Sequence, residues 1–349
     1  MGQFDPELFK LAREQNGFSQ KELVVGLDIK QAAISKYESG SITPSDAALQ
    51  QLADRLRYPV DFFYQEIFEN PTGLIYHRKR TALSAKERAR IEAEVRLRTL
   101  DVHKLFDKAG LKSDILPREG RTPTQMARDL RRHWGMDQGP IENLTALLEK
   151  HNIIILSFEF HLPELDGFVI PLESDIVCIA LNADSCFSPD RLRYTLCHEL
   201  GHALLHKGVF PDKTTEKEAD AFAAEFLAPG ETISPELACP LTLQKLMVLK
   251  TRWRMSMASL IFRAHALGEI GDGVYRRTMI FLSSCGYRKK EPACGVLPEH
   301  PDLVLRLMKR YIEETPDALN QLHLTRERFG ERYPGLIWEG QSSMTPMIS

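Results

Sequence analysis

The chain reads as a multidomain protein, with an all-helical N-terminal domain followed by an α+β domain whose C-terminal part is again rich in helices. Two patterns carry this reading. Residues 4 to 66 alternate short amphipathic helical periods with short polar breaks, and none of their runs has the two-residue period of a strand. Three short apolar, β-branched runs then fall close together between residues 153 and 181, with helical periodicity on either side. At 349 residues the chain has room for two or three domains, each able to bury a core.

In chain order, Gly17-Phe18-Ser19-Gln20 has the form of a turn ending in an N-cap serine, and Glu22 stands three residues on, where a capping box needs it. Gly40 to Pro44 interrupts again before a helix carrying Leu49, Leu52, Ala53 and Leu56. Pro71-Thr72-Gly73 is a linker signal. Between Tyr76 and Lys104, nine basic residues face four acids, which makes a basic helical segment in a near-neutral chain; a solvated helix face explains it better than a nucleic-acid channel. Residues 113 to 123 form a second connection, and helical periods follow at Thr124 to Trp134 and Ile141 to His151. Ile153 to Leu156, Gly167 to Ile170 and Ile176 to Leu181 read as strands, after which helices dominate from Ser188 to about Leu267. The expected boundaries are 1–70, 71–123, 124–275 and 276–349, the last a C-terminal extension of sensory or regulatory use in which only Leu303 to Ile312 has a helical pattern.

A formal charge of −3 names no partner for the whole chain. No apolar run reaches the roughly 18 residues that a membrane helix needs, and the start at Met1-Gly2-Gln3-Phe4-Asp5 lacks the layout of a signal peptide, so a cytoplasmic protein without membrane association is expected. Six cysteines without a Cys-x-x-Cys pair read as free thiols.

Ser188-Pro189-Asp190 supplies an N-cap serine, a proline at the first helical position and an acid in the first turn, which predicts a helix running through His206. Within it His198 and His202 are four apart and share a face, so their ring nitrogens can converge on one ion. Glu199 lies beside them as a general base for an attacking water. Two imidazoles, one carboxylate and one open position form the ligand set of a catalytic zinc site, so one Zn2+ per chain is expected. The third ligand is expected from the helix over Thr215 to Leu227. Glu216 is favoured there because Asp220, one turn on, can then accept a hydrogen bond from a liganding histidine; Glu218 is the reserve. His206 continues the row but lies about 12 Å along the axis from His198 at 1.5 Å per residue, too far for a third ligand, and reads as a support. Cys197 or Cys239 capping the open position is a minor alternative.

His198-Glu-Leu-Gly-His-Ala-Leu-Leu-His206, followed by Glu216-Lys-Glu-Ala-Asp-Ala-Phe-Ala-Ala-Glu-Phe-Leu-Ala-Pro229, resembles the ImmA/IrrE family of zinc metallopeptidases, over about Thr124 to Arg288. The resemblance implies a zincin-like fold and a bacterial or phage regulatory protease that cuts a transcriptional repressor in stress response, mobile-element transfer or phage defence. Leu227-Ala228-Pro229 stands where family patterns often have Leu-Met-Pro, a departure that leaves the ligands untouched.

Leu8 to Arg13, Phe18 to Leu23, and Gln31-Ala-Ala-Ile-Ser-Lys-Tyr-Glu-Ser-Gly40 with Pro44 resemble the Xre/Cro helix-turn-helix. That resemblance implies a recognition helix over Lys30 to Glu38 with Gln31, Ala32, Ser35 and Lys36 facing the major groove, Gln20 on a phosphate, and Ala33, Ile34 and Tyr37 packed inward. Residues 1 to 66 carry seven basic residues against ten acids, so phosphate attraction is weak and firm binding is expected to need a homodimer on paired half-sites or help from the basic 76–104 segment. Two functional readings stay open. One is a zinc endopeptidase acting on a helix-turn-helix repressor, with self-cleavage as a variant. The other is a DNA-binding repressor or antitoxin, binding DNA or a related repressor, whose zinc domain senses or only holds structure.

Overall fold

The computed structural model describes residues 2–65, 84–162, 165–172, 175–184, 186–209, 211–288, 290–292, 295–334 and 336. These fall into two compact units. The first takes residues up to 65, 84–111 and 304 onward; the second takes 112–303.

In the first unit, α1 (Pro6–Gln15) begins at Asp5, whose carboxylate accepts from the N–H groups of Glu7 and Leu8. α2 (Gln20–Leu23) opens with the reciprocal Ser19–Glu22 capping box, and α3 (Gln31–Glu38) and α4 (Asp46–Leu56) follow. A 3-10 turn over Val60–Tyr64 brings Phe63 into a core with Leu8, Phe9, Ile34 and Leu52. α5 (Ala85–Ala109) starts at a second capping box, Ser84–Glu87, packs along α1, and stops at Gly110, whose φ of 62° suits a residue without Cβ. The Pro71–Gly73 linker and the basic Arg78–Arg80 lie outside the described residues.

The second unit opens with α6 (Pro123–His133) and α7 (Leu144–Lys150). A three-stranded sheet follows, β1 (Ile154–Phe158), β2 (Gly167–Ile170) and β3 (Cys178–Asn182), in the order β1-β3-β2. β3 pairs parallel with β1 and antiparallel with β2. The first and third strands start later and end later than the apolar runs suggest, because Ser157 and Phe158 find partners in Leu181 and Asn182. Helices complete the unit: α8 (Pro189–Leu205), α9 (Lys213–Leu227), α10 (Gly230–Leu237), α11 (Leu243–Trp253), α12 (Met257–Ala266) and α13 (Asp272–Ser284). Leu130, Leu196, Leu200, Phe222, Phe226 and Trp253 lie in one core between the sheet and these helices. The chain is thus a helical first unit joined to an α+β second unit, the fold class read from its sequence.

α8 starts where expected, with Ser188 at its N-cap, a proline next and Asp190 as the acid of its first turn, and two details differ. Ser188 makes no side-chain capping bond, and the Asp190 carboxylate is buried against Lys250 Nζ at 2.7 Å. The helix also stops at Leu205, with His206 in the capping position at φ −129°.

The last described helices, α14 (Leu303–Glu314), α15 (Ala318–Leu322) and α16 (Arg326–Arg332), belong almost wholly to the first unit. Arg332 donates to Asp101 at 2.8 Å and to the Tyr58 hydroxyl at 2.6 Å, and Tyr333 donates to Asp101 at 2.9 Å. Arg328 donates to the Leu56 carbonyl at 3.0 Å, and the Thr325 hydroxyl to that of Arg57 at 3.1 Å.

Candidate metal centre and helix-turn-helix surface

α8 lies buried across the second unit, with His198, Glu199 and His202 all at most 8% exposed. α9 can approach it because of Gly201: a Cβ there would sit 3.2 Å from Ala219 Cα and 3.1 Å from the Phe222 ring. That approach brings Glu216, in the first turn of α9, onto the histidine pair. His198 Nε2 and His202 Nε2 are 3.1 Å apart, and the Glu216 carboxylate oxygens lie 3.5 Å and 3.3 Å from them. Ligand atoms on a tetrahedral zinc with bonds of about 2.0 Å stand about 3.3 Å apart, so the spacing of these three donors suits such an ion. Among the described residues, His198, His202 and Glu216 are the group able to hold a metal.

The far sides of the rings are also committed. His198 Nδ1 lies 2.8 Å from Asp220 Oδ1, an oxygen that also accepts from the Tyr194 hydroxyl at 3.2 Å. Burial, reinforced by the Asp220 charge, pushes the Tyr194 hydroxyl far above its ordinary value, so it remains a donor. His202 Nδ1 lies 3.0 Å from His206 Nδ1, and His206 Nε2 2.8 Å from Glu218. Burial holds the His206 imidazole below its ordinary value despite the pull of Glu218. Of the two acids weighed as third ligand, Glu216 reaches the pair and Glu218 instead engages His206.

Glu199 borders a cleft of about 150 Å³ together with His202, Gly167, Val169, Ile170 and Val209. Gly167 brings β2 tight against the helix, since a Cβ there would meet the Ala180 carbonyl at 2.8 Å and Thr195 Cγ2 at 3.0 Å. β2 is an edge strand. Because Asn182 N–H donates to the Asp166 carbonyl, the alternating antiparallel pattern turns the backbone groups of Gly167 and Val169 away from β3. Nothing in the local sequence marks Gly167 or Tyr194 as part of a site, although Tyr194 stands four residues before His198, on the same helical row.

The structure removes one minor alternative. Cys197 is wholly buried among the core residues of the unit, and burial pushes its thiol far above the ordinary value, so it offers the centre no thiolate. Cys239 is exposed, with its sulfur against the Glu269 carbonyl.

On the helical unit, Ala32, Ser35 and Lys36 are exposed along α3 while Ile34 and Tyr37 are buried. Gln31 donates to Gln20 Oε1 at 2.7 Å, and Gln20 donates to Glu38 at 2.8 Å. Glu38 is also ion-paired with Arg13, which offsets one acid beside α3. No helix among the described residues is long and apolar enough to cross a membrane.

Residues 148–265 match the family model for the IrrE N-terminal-like domain, a peptidase family, and residues 9–63 match a helix-turn-helix model. No curated protein matches the chain significantly. The chain therefore combines an Xre-type helix-turn-helix domain with an IrrE N-terminal-like peptidase domain.

Proposed function

We propose that the second unit is a zinc-dependent endopeptidase that cuts a helix-turn-helix repressor-like protein, and that the first unit gives this activity a sequence-specific DNA address. The setting is the bacterial cytoplasm, in control of stress response, mobile elements or phage defence. The observation that carries the reading is the convergence of His198, His202 and Glu216 beside a buried Glu199 that borders a cleft.

When bound by the two histidines and Glu216, zinc supplies Lewis acidity, which acidifies a water and offsets charge on the scissile carbonyl oxygen. The remaining work falls to the chain. The outward N–H and C=O groups of Gly167 and Val169 hold an extended substrate segment along the free edge of β2. The apolar wall at Ile170 and Val209 takes a side chain and excludes water. Glu199 accepts the proton of the attacking water and passes it to the leaving amine. On the first unit, Gln31, Ala32, Ser35 and Lys36 face base edges and Gln20 a phosphate, with a homodimer compensating for the acidic surroundings.

Glu199→Gln tests the reading. Incubated with zinc and candidate helix-turn-helix repressors, the wild-type chain is expected to yield a defined cut detectable by mass spectrometry. The variant is expected to keep its metal and lose roughly 10²- to 10⁴-fold in rate, the span of general acid–base catalysis. Equal cleavage by both would remove Glu199 from the chemistry. DNA binding and repression unaffected by the substitution, with no cleavage by either form, would favour a regulator whose zinc domain senses or scaffolds.

A further inference from the structure

The two histidines of the centre are supported unequally. His198 Nδ1 meets a carboxylate directly, in Asp220. His202 Nδ1 meets the imidazole of His206 instead, at 3.0 Å. For His206 to accept there while neutral, its own proton must sit on Nε2, and Glu218 Oε2 is 2.8 Å from that nitrogen. Glu218 is in turn held by Arg118 at 3.2 Å. The same guanidinium donates to the Leu205 carbonyl at 2.6 Å, in the last turn of α8, where a helix leaves carbonyls without internal partners. The His206 side chain is 3% exposed, which leaves water little access to substitute for it.

We infer that Arg118, Glu218 and His206 form a positioning relay that fixes the tautomer and ring direction of His202, so that its Nε2 lone pair points at the metal position. The relay rests on the zinc reading above. Protons order along it in one direction: His202 Nδ1–H donates to His206, His206 Nε2–H donates to Glu218, and the Arg118 cation holds the negative end. A carboxylate thus acts on each liganding histidine, directly on His198 and through one imidazole on His202. Arg118 lies outside residues 148–265, so this support comes from the chain leading into the matched domain.

Zinc affinity of the full chain, measured by competition with a fluorescent chelator, tests the relay without reference to cleavage. His206→Leu is expected to weaken zinc by roughly 10- to 100-fold, the usual effect of losing such a support. His206→Gln, whose amide oxygen can accept from His202 and whose amide nitrogen can donate to Glu218, is expected to recover most of that loss. Glu218→Gln and Arg118→Gln should fall between, in that order, with melting of the metal-free chain unchanged. Wild-type affinity in His206→Leu, or a His206→Gln as weak as the leucine variant, would overturn the relay. Should His206→Leu fail to fold, the partly exposed Glu218→Gln decides alone, and an unchanged affinity there would overturn it as well. A wild-type chain that takes up no zinc would instead bring down the metal centre itself, before any variant is made.

Discussion

Asp101 in the first unit and Glu216 in the second are carboxylates set among nitrogen donors, yet their surroundings differ in one decisive respect. Asp101 is 2% exposed and accepts from Arg332 and from the Tyr333 hydroxyl, while Arg332 also donates to Tyr58. The buried carboxylate meets a cation and a hydroxyl donor directly, so its charge is closed within the cluster. Glu216 is about one-third exposed and faces the two Nε2 atoms whose ring partners already occupy the Nδ1 sides. Three ligand-type atoms therefore converge at the spacing of a metal's coordination shell. Closure turns buried charge into a staple; a convergence of imidazole and carboxylate ligand atoms makes a place for a metal ion.

Breaking the closed cluster is expected to give the largest effect on stability. Arg332→Met leaves Asp101 buried without its cation, and losses of about 3–5 kcal/mol are typical when one member of a buried pair is removed. Hydrogen exchange should show lower protection in α1, α4 and α5, with α8 and α9 and zinc uptake unchanged. Equal protection throughout would mean that the C-terminal helices do not brace the helix-turn-helix unit.

Gly167→Ala acts on the open site from its strand side. The added methyl would lie 2.8 Å from the Ala180 carbonyl, so the strand must shift, at about 1–3 kcal/mol for overpacking of this kind. Cleavage should fall while zinc content stays at the wild-type level, because the three donors sit on α8 and α9. Loss of metal together with activity would show that strand and helices are not separable in this way.

The smallest expected effect is on acid stability. Burial raises the Glu225 carboxyl, but hydrogen bonds from Arg128 and Arg263 and the Gly230 N–H outweigh it, and the net value lies below the ordinary 4.5. A carboxylate depressed in the folded state stabilises fully above its ordinary value, and that contribution is lost as pH falls through the folded one. Denaturation midpoints should therefore decline below about pH 4.5 in the wild type and less steeply in Glu225→Gln. Identical slopes would exclude Glu225 from the acid transition.

Local chemistry made much of this legible in the sequence. The Ser19–Glu22 capping box depends on residues three apart, and the histidine pair on residues four apart, so both can be read from spacing alone. The Asp220 contact followed from placing Glu216 one turn earlier on the same helix. Partners distant in the chain left no such trace. Asp101 and Arg332 are ordinary surface residue types 231 positions apart, and only folding pairs them. Arg118 sits 100 residues before Glu218 in a stretch that reads as a connection. Strand ends were displaced because a strand extends as far as its neighbour offers backbone partners, whatever the hydropathy of its own residues. Ser188 stands at the N-cap as read, but residue type marks the position and not the side-chain bond, which it does not make.

The central claim is that the side chains of His198, His202 and Glu216 together hold one metal ion. Metal content of the purified full chain, determined by plasma emission spectroscopy beside a Glu216→Ala variant and a His198→Ala/His202→Ala double variant, addresses it directly. The account expects one zinc per wild-type chain, weakened retention in the first variant and none in the second. A metal-free wild type, or a double variant that keeps its zinc, would contradict it.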